Sequence, residues 1–389
     1  MLGALIIAGC ARPASHVVVD ALLSTAHRPR SVELGPGSSL SKYQVLAGDL
    51  HCHVSPPDAR SHVSRNLAET ITLARSENLD FVVLTPHLRA RFFLDTQSRA
   101  WAVEALARLE RELAQHAPKD ILFFVGFEYT DFEYGHVGGA FASLDDVFAH
   151  LSVTQNVKEP GAFFETYVAQ GGLLFVNHPL VTPLDSSIGM ANVDMSWRPF
   201  TGHQPFPSEI VAAHRLAHGF EAFNLTVFDL RDRFLQPDPH TTLLQTMARL
   251  DQQTLIERRR FIPVGGSDSH SDHLRASTFV LAEERSPKAI REAILAGRVC
   301  VRDPAGCTFE AREPGGVWMP VGSSLQNVDE IEMQARGDDL QFIVDGNLVY
   351  GGTARKNWRV RVDKRYCSIL RARVDEGYSA PIYVNCPFD

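Results

Sequence analysis

The sequence lacks several features that would place it in particular classes of protein. Apart from its apolar start, it has no run of about 18 apolar residues, which a membrane-spanning helix would need. It has no Lys/Arg run longer than three residues, and its net charge of −8 argues against a nucleic-acid-binding surface. No Gly-x-Gly-x-x-Gly motif follows a predicted strand, which weighs against a dinucleotide-binding fold. Internal repeats and low-complexity tracts are also missing, which argues against a repeat architecture.

What the sequence contains is ordinary for a globular protein. A hydrophobic fraction of 44% and a charged fraction of 22% are typical of such proteins. Its length of 389 residues is enough for two domains or for one large barrel with an appendage. The acidic balance does not exclude an anionic substrate, because bound divalent cations would dominate the electrostatic field at a site.

The first ten residues form a short apolar run that ends in Ile7-Ala8-Gly9-Cys10. This run resembles the lipobox of bacterial lipoproteins, in which the cysteine becomes the lipidated first residue. The resemblance implies a lipoprotein-type signal over 1–10, a lipid anchor on Cys10, and a location at the bacterial cell envelope facing the periplasm or exterior. The charged segment that usually opens a secretion signal is missing, so a cytoplasmic protein is the alternative. Residues 11–42, rich in Pro, Ser, Gly and Arg, are predicted to be a tether.

Four of the six cysteines lie after residue 299. The pairs Cys300–Cys307 and Cys367–Cys386 would suit an exported protein. Four buried free thiols are the alternative, because the sequence alone does not fix the connectivity.

From residue 43, strand-like and helix-like segments alternate. Predicted strands cover 45–51, 81–85, 121–127, 173–177, 220–224, 261–265 and 278–282. Helical patterns cover 66–76, 100–113, 163–169, 208–216, 241–258 and 287–295. The alternation predicts βαβ units with a parallel sheet, and seven strands favour a closed or nearly closed barrel. Residues 304–389 show short alternating stretches between Gly and Asp clusters, at 330–334, 340–344, 358–362, 369–374 and 382–384. These stretches predict a small β-sandwich.

The most informative stretch is Gly48-Asp49-Leu50-His51-Cys52-His53 at the end of the first predicted strand. Side chains alternate along a strand, so His51 and His53 are predicted to share one face while Cys52 points the other way. Two imidazoles on one face can bind one metal ion, although a histidine pair alone is a weak signal.

Metal-binding side chains follow five of the seven predicted strands. Because the active sites of β/α barrels lie at the C-terminal ends of the strands, these side chains are expected to meet on one face. Two further candidates, Asp58 and His136, are predicted in loops. The full set is His51, His53, Asp58, His87, Glu128, His136, His178, Asp268 and His270. Six imidazoles and three carboxylates are too many for one ion and suit two or three ions of zinc, manganese or iron(II).

These residues occur in motifs that resemble those of the PHP (polymerase and histidinol phosphatase) superfamily, over about 43–302. The motifs are Asp49-Leu50-His51-x-His53, Thr85-x-His87, Glu128, His136, Asn177-His178-Pro179 and Ser267-Asp268-x-His270. The stretches 295–298 and 380–384 further resemble the branch that includes the carbaryl hydrolases, which carry a similar C-terminal β-domain. The resemblance implies a distorted (β/α)7 TIM-like barrel over 43–302 with two or three metals, followed by a β-sandwich-like domain over 303–389.

The resemblance also implies how the ligands are shared. His51 and His53 would hold the first metal with Glu128 and Asp268. Glu128 would bridge to a second metal held by His136 and His178. Asp58, His87 and His270 would hold a third metal. The catalytic residues implied are Glu128, Asp268 and His270. The sequence departs from the family pattern at Pro86, where the family usually has Asp, so a hydrogen bond behind the ligands is expected to be lost.

The function that this set favours is hydrolysis of a small-molecule phosphate ester by a metal-bridged hydroxide. Hydrolysis of a carbamate or carboxylic ester is the alternative from the same fold. A non-catalytic, metal-stabilised surface binding module is the alternative from another class. Arg89, Arg91 and Arg275 follow the ligand motifs and are candidates for binding phosphate oxygens, although plain surface arginine is the more common role.

Two groups of residues have no assigned role. Trp197, Phe200 and Phe206 lie in the loop region 180–215 and are predicted either to form an aromatic lid or to pack inside. The histidines outside the ligand set include His62, His203, His214 and His273, and a structural role is the simpler reading for each.

Overall fold

The computed structural model describes residues 38–180, 196–202, 205–227, 239–352 and 357–388. The predicted signal over 1–10, its Cys10 and most of the tether lie outside the described residues. Within the described residues, no helix is both long enough and apolar enough to cross a membrane.

The structure is a mixed α/β fold with many short strands. We number the strands in chain order as follows: β1 Gln44–Cys52, β2 Phe81–Leu84, β3 His87–Arg89, β4 Leu122–Val125, β5 Phe127–Asp131, β6 Gly135–Ala140, β7 Leu173–Asn177, β8 Gly219–Asn224, β9 Ile262–Gly266, β10 Thr278–Ala282, β11 Val299–Val301, β12 Glu310–Arg312, β13 Met319–Pro320, β14 Ser324–Leu325, β15 Glu330–Gln334, β16 Leu340–Val344, β17 Asn347–Gly352, β18 Trp358–Arg361, β19 Ser368–Val374, β20 Gly377–Ser379 and β21 Ile382–Val384. The α-helices are α1 Leu67–Ser76, α2 Thr96–His116, α3 Leu144–His150, α4 Val153–Lys158, α5 Ala162–Ala169, α6 Arg198–Thr201, α7 Ser208–Leu216, α8 Pro239–Glu257 and α9 Pro287–Leu295.

Local sequence signals set the ends of the helices. Asn66 caps α1 because its side chain accepts from the backbone N–H of Glu69 at 2.9 Å, and the Glu69 carboxylate accepts from the Asn66 N–H at 2.7 Å. Ser286 caps α9 by accepting from the N–H of Ala289 at 3.2 Å, and Pro287 occupies the first turn. Both helices then bury one apolar face in the core.

The described strands lie in three sheets. The first runs β14-β21-β19-β20-β11-β10-β1-β2-β4, with β16 and β17 added beside β19. The second runs β3-β5-β6-β7-β8-β9, and the third runs β13-β12-β15-β18. Beyond these ladders, Cys52 of β1 makes an isolated parallel bridge with Ser269, in the loop that follows β9. The described pairings therefore do not confirm a closed barrel of seven strands.

The prediction of an all-parallel sheet is wrong in two places. β10 pairs antiparallel with β1, from Gln44 opposite Ala282 to Gly48 opposite Thr278. β6 is a strand that the sequence did not predict, and it lies antiparallel between β5 and β7. His136 therefore sits on a strand and not in a loop.

The C-terminal strands share a sheet and a core with the N-terminal ones. β20 pairs with β11, which itself pairs with β10, so hydrogen bonding continues from β1 into the last strands of the chain. Apolar side chains of both regions, including Phe279 and Phe342, belong to one buried cluster. The boundary at 302/303 between two domains stays a prediction.

Two disulfides join the four cysteines after residue 299, and their pairing is the one that the sequence analysis described. Cys300 bonds to Cys307, and Cys367 bonds to Cys386. Cys52 is free and buried among apolar residues behind β1, on the opposite side from His51 and His53. The prediction from strand alternation is confirmed for His51, Cys52 and His53.

One buried ion pair ties α8 to the C-terminal strands. The Nε atom of Arg371 lies 2.8 and 3.0 Å from the two carboxylate oxygens of Asp251, and Arg371 Nη1 donates to the carbonyl of Ser379 at 3.1 Å. We expect Arg371→Met to lower the free energy of unfolding by about 3 kcal/mol, because the buried carboxylate would lose its partner. Urea unfolding measures this loss. The double variant Asp251→Asn/Arg371→Met should recover part of it, and a single-variant loss below about 1 kcal/mol would contradict the prediction.

His218, just before β8, gives an acid-sensitive contribution to stability. Burial, together with the charges of Arg259 and Arg291, lowers its pKa from 6.5 to about 4, and its Nδ1 accepts from the Leu174 N–H at 3.2 Å. Between pH 6.5 and 4 the unfolded chain therefore takes up a proton that the folded chain does not. This contribution to stability is present above the unfolded pKa and is lost as the pH falls.

We therefore expect His218→Asn to flatten the loss of thermal stability between pH 7.5 and 4.5. The histidine contributes up to about 3 kcal/mol to that loss. Measuring the difference in melting temperature between the two proteins across this range cancels the other titrating groups. A difference that does not change with pH would show that His218 is not responsible.

Candidate metal centre

Sheet register brings the predicted ligands together. His87 on β3 and Glu128 on β5 are direct register partners, and Glu128 in turn faces Gly138 on β6. On the next pair of strands, His136 faces Asn177, the residue before His178. A Cβ at position 138 would lie 2.8 Å from the Asn177 side-chain oxygen, so the glycine leaves the space that Asn177 occupies.

Glu128 lies at the centre of the site and is almost fully buried. Its Oε1 lies 3.2 Å from His51 Nε2, 3.1 Å from His136 Nδ1 and 3.6 Å from His178 Nε2. Its Oε2 lies 3.5 Å from His87 Nε2 and 3.7 Å from His53 Nε2. One carboxylate therefore contacts five of the six predicted histidine ligands.

Asp268 completes the cluster from the loop after β9. Its Oδ1 lies 3.1 Å from His53 Nε2, 3.4 Å from His51 Nε2 and 3.6 Å from His270 Nδ1. Both Asp268 and His178 have positive φ, at 50° and 27°, an unfavourable backbone conformation for these residues. Such backbone strain is found at functional sites, where the surrounding structure maintains it.

Asp58 contacts two histidines from behind. Its Oδ2 lies 3.2 Å from His53 Nδ1, while its Oδ1 lies 3.0 Å from His87 Nδ1 and also accepts from the His87 backbone N–H. These contacts direct the Nε2 atoms of both rings toward Glu128. A ligand role for Asp58 stays a prediction, and the contacts described here orient other ligands.

Three groups in the described part of the chain have donor atoms close enough to bind a cation. They are His51/His53/Asp268, Glu128/His136/His178 and His53/His87/His270, with the donor atoms of each group within 4.8 Å of one another. Imidazole nitrogens with carboxylate oxygens suit zinc and manganese. In addition, His136 Nε2 and His178 Nδ1 are buried without a hydrogen-bond partner. This donor set fits divalent metals.

The electrostatics of the cluster also favour cations. Burial alone would raise the pKa of Glu128, but His136 and His51 hold it well below its usual range. Burial would lower the pKa of His53, yet hydrogen bonds to Asp268 and Asp58 raise it to about 9. His270 behaves differently, because burial and the nearby His53 lower its pKa to about 3. The carboxylates are therefore ionised, and metal ions would compete with protons for the imidazoles.

A buried carboxylate below the ligands supports the strand ends. Asp49 Oδ1 accepts from the backbone N–H groups of His51 at 3.0 Å and Ser267 at 2.9 Å, and its Oδ2 bonds the Ser267 hydroxyl. Burial raises the pKa of Asp49 to about 6 against these hydrogen bonds. The two motifs that begin with Asp49 and Ser267 are thus joined directly.

Sequence reasoning missed three residues of the site. Glu221 and Asn224 lie on β8, and Glu221 contacts the ring of His51. Arg65 is buried, and its guanidinium donates to the Ser269 hydroxyl at 2.7 Å and to the carbonyl of His53 at 3.3 Å. A glutamate inside an otherwise apolar strand was the signal that could have identified Glu221.

The arginines predicted to bind phosphate oxygens differ in exposure. Arg89 is exposed and Arg275 is buried, while the side chain of Arg91 lies outside the described residues. The ring of His62 stands at the edge of the cluster, 4.6 Å from that of His270 and 4.9 Å from that of His87.

The aromatic residues of 180–215 pack inside the protein. Trp197 is fully buried, and its indole N–H donates to His214 Nδ1 at 3.1 Å. Phe200 packs edge-to-face on Phe220, and both belong to one buried apolar cluster. Phe206 is partly buried against that cluster. Of the two roles considered, packing is the one that the structure shows. His203 lies outside the described residues.

No family model matches this chain, and no curated protein does either. A two-domain protein from Bacteroides vulgatus, containing a predicted PHP-like metal-dependent phosphoesterase, shares 17% identity at a TM-score of 0.43, over 92% of this chain and 99% of that one. The lesion-specific endonuclease PfuEndoQ from Pyrococcus furiosus shares 14% identity at 0.38, over 71% and 64%. A candidate metal-dependent phosphoesterase from Bifidobacterium adolescentis shares 14% identity at 0.26, over 58% and 88%.

Two of these three proteins are described by the class of enzyme that the sequence motifs resemble. At these identities and TM-scores, however, the likeness assigns neither an activity nor a substrate to this chain. The function is therefore inferred from the residues of the site.

Proposed function

We propose that the chain is a PHP-type metal-dependent hydrolase that cleaves a phosphate ester. The observation that carries this proposal is the sharing of ligands among the three groups. Glu128 contacts histidines of all three, and His53 belongs to two of them. A structural metal site is usually single and closed, whereas overlapping groups favour ions held side by side. That arrangement suits phosphoryl transfer, in which attacking and leaving oxygens both need stabilisation.

The chain's own residues would supply positioning and charge. His51, His53, Glu128 and Asp268 would hold one ion, His136 and His178 a second with Glu128, and His87 and His270 a third. Bound divalent ions would activate a water near neutral pH and stabilise negative charge on the phosphoryl oxygens. Glu128 and Asp268, kept ionised by their neighbours, would fix the histidine rings. We propose zinc or manganese as the ions, with iron(II) possible on the same donor chemistry.

The experiment that tests this proposal compares two chromogenic substrates with the same metal-loaded protein. Bis-p-nitrophenyl phosphate should be hydrolysed, and 1-naphthyl methylcarbamate should react much more slowly. Chelation should abolish the activity, and Zn²⁺ or Mn²⁺ should restore it. Faster cleavage of the carbamate would overturn the choice of phosphate. Cleavage of neither substrate by metal-loaded protein would favour the non-catalytic binding module.

We also propose that the protein works at the cell envelope, with Cys10 as its lipid anchor. Two disulfides support an oxidising compartment, because such bonds seldom persist in the cytosol of mesophiles. Metabolic labelling with a fatty-acid analogue should label the wild type and not Cys10→Ser. An unlabelled wild type would contradict the anchor.

A further inference from the structure

We propose that Glu221 is a positioning residue that holds His51 and His178 in place for two neighbouring metal groups, and that only a carboxylate can fill this position. The inference rests on the proposed metal site. Glu221 is 3% exposed and lies in the middle of β8, behind the predicted ligands.

Both oxygens of Glu221 accept hydrogen bonds. Its Oε1 lies 3.0 Å from His51 Nδ1. Its Oε2 accepts from the backbone N–H of His178 at 2.8 Å and from the Asn224 side-chain amide at 2.9 Å. The three partners belong to different segments of the chain, so one side chain fixes their relative positions.

The orientation of Asn224 shows why a carboxylate is needed. Its Oδ1 accepts from the backbone N–H of Val227 at 2.9 Å, so the amide nitrogen must face Glu221. That nitrogen also lies 3.3 Å from Asp268 Oδ2. A glutamine at position 221 would turn its own amide N–H toward at least one of these donors. A buried donor would then lose its acceptor, at a cost of about 1–3 kcal/mol.

Glu221 also sets the tautomer of His51. With Nδ1–H donated to Glu221, the lone pair of His51 lies on Nε2, the atom 3.2 Å from Glu128 and 3.4 Å from Asp268. A carboxylate behind a histidine is a common way to orient a metal ligand. At His178 the same carboxylate holds the backbone N–H of a residue whose φ is +27°.

The two residues that Glu221 holds belong to different groups. His51 is part of His51/His53/Asp268, and His178 is part of Glu128/His136/His178. The third group, His53/His87/His270, is oriented instead by Asp58 through His53 and His87. Loss of Glu221 should therefore weaken two groups and spare the third.

The test is a Mn²⁺ titration of the metal-free full-length protein by calorimetry, comparing wild type with Glu221→Gln. We expect Kd to rise about 10–100-fold for the ions of two groups, with one ion bound as before. The matched control is Glu310→Gln, a buried glutamate in β12 that accepts from Ser38 and Ser39 at 2.6–2.8 Å, far from the ligand motifs in sequence. It should leave every Kd unchanged. Proton and nitrogen NMR of the imidazoles should show the His51 Nδ1–H signal shifting only in Glu221→Gln.

Other outcomes would overturn the inference. Unchanged Kd values in Glu221→Gln, or an equal loss in Glu310→Gln, would reduce Glu221 to a structural residue. If Glu221→Gln does not fold, Glu221→Asp keeps the charge on a shorter side chain and should show an intermediate Kd for the same two groups. An equal rise of the Mn²⁺ Kd at all three groups in that variant would also contradict the inference. The titration needs no substrate, so a wild type that binds Mn²⁺ without hydrolysing esters would refute the proposed function alone.

Discussion

Glu128→Gln is expected to lower kcat/KM for bis-p-nitrophenyl phosphate by about 10³-fold or more, while the folded structure persists. The change keeps the size of the side chain and removes its charge. Glu128 contacts five histidine rings and accepts from the Asn177 amide at 2.9 Å, so no other residue can replace its oxygens. Metal content should fall together with activity, because two of the three proposed ions would lose a charged ligand.

Steady-state kinetics and elemental analysis of the purified protein check this prediction, and circular dichroism checks the fold. Glu332→Gln is the matched control. That glutamate is also buried, but it pairs with Arg312 and Arg359 in the third sheet. The control should lose stability and keep its activity. A Glu128→Gln protein with more than about a tenth of wild-type kcat/KM would mean that Glu128 is not central to catalysis.

Gly266→Ala is expected to have the second largest effect, although position 266 carries no side chain. A Cβ there would overlap His51 Cβ and the Oε1 atom of Glu221. One methyl group would therefore displace a predicted ligand and the carboxylate behind it. We expect activity to fall about 10²-fold and the free energy of unfolding to fall by about 1–3 kcal/mol.

Gly351→Ala is a suitable control for this substitution. It lies in a strand as well, on β17, and an added Cβ would meet only the Leu348 side chain at 3.9 Å, an ordinary contact. Its stability and activity should stay close to those of the wild type. Thermal unfolding and phosphodiester kinetics of the two variants, measured side by side, decide the question. Equal behaviour of both alanines would show that the space beside His51 is not critical.

The clustering of the candidate ligands could be predicted from the sequence, because most of them stand near the end of an apolar run. This pattern holds for His51, His87, His178 and Asp268. The alternation of side chains along a strand also correctly predicted that Cys52 lies on the opposite side of β1. Glu221 could not be found in this way. Its neighbours along the strand, Phe220 and Ala222, are apolar. Its proposed role depends on a contact with His51, a residue far away in sequence.

The architecture was harder to predict than the site. β6 has the sequence Gly135-His-Val-Gly-Gly-Ala, in which Val137 is the one branched residue that favours strands and three glycines disfavour them. Its pairing with β5 and β7 decides its conformation. The direction of β10 also could not be derived, since alternating strands and helices predict parallel neighbours. Five of the ten described strands after residue 303 were predicted close to their observed bounds, such as Glu330–Gln334 and Leu340–Val344. Their attachment to the first sheet depends on distant partners.

The pairing of β1 with β10 has a consequence for the order of events during folding. β1 carries His51, yet the strand that completes its hydrogen bonding follows nearly all the helices of the α/β region in the chain. Contacts between such distant segments form late and slowly. The N-terminal half of a newly made chain could pair β1 with β2 but would lack β10 and Asp268, so its ligand geometry would be incomplete. Assembly of the candidate metal centre would therefore wait until the segment that carries β9, Asp268 and β10 has been made.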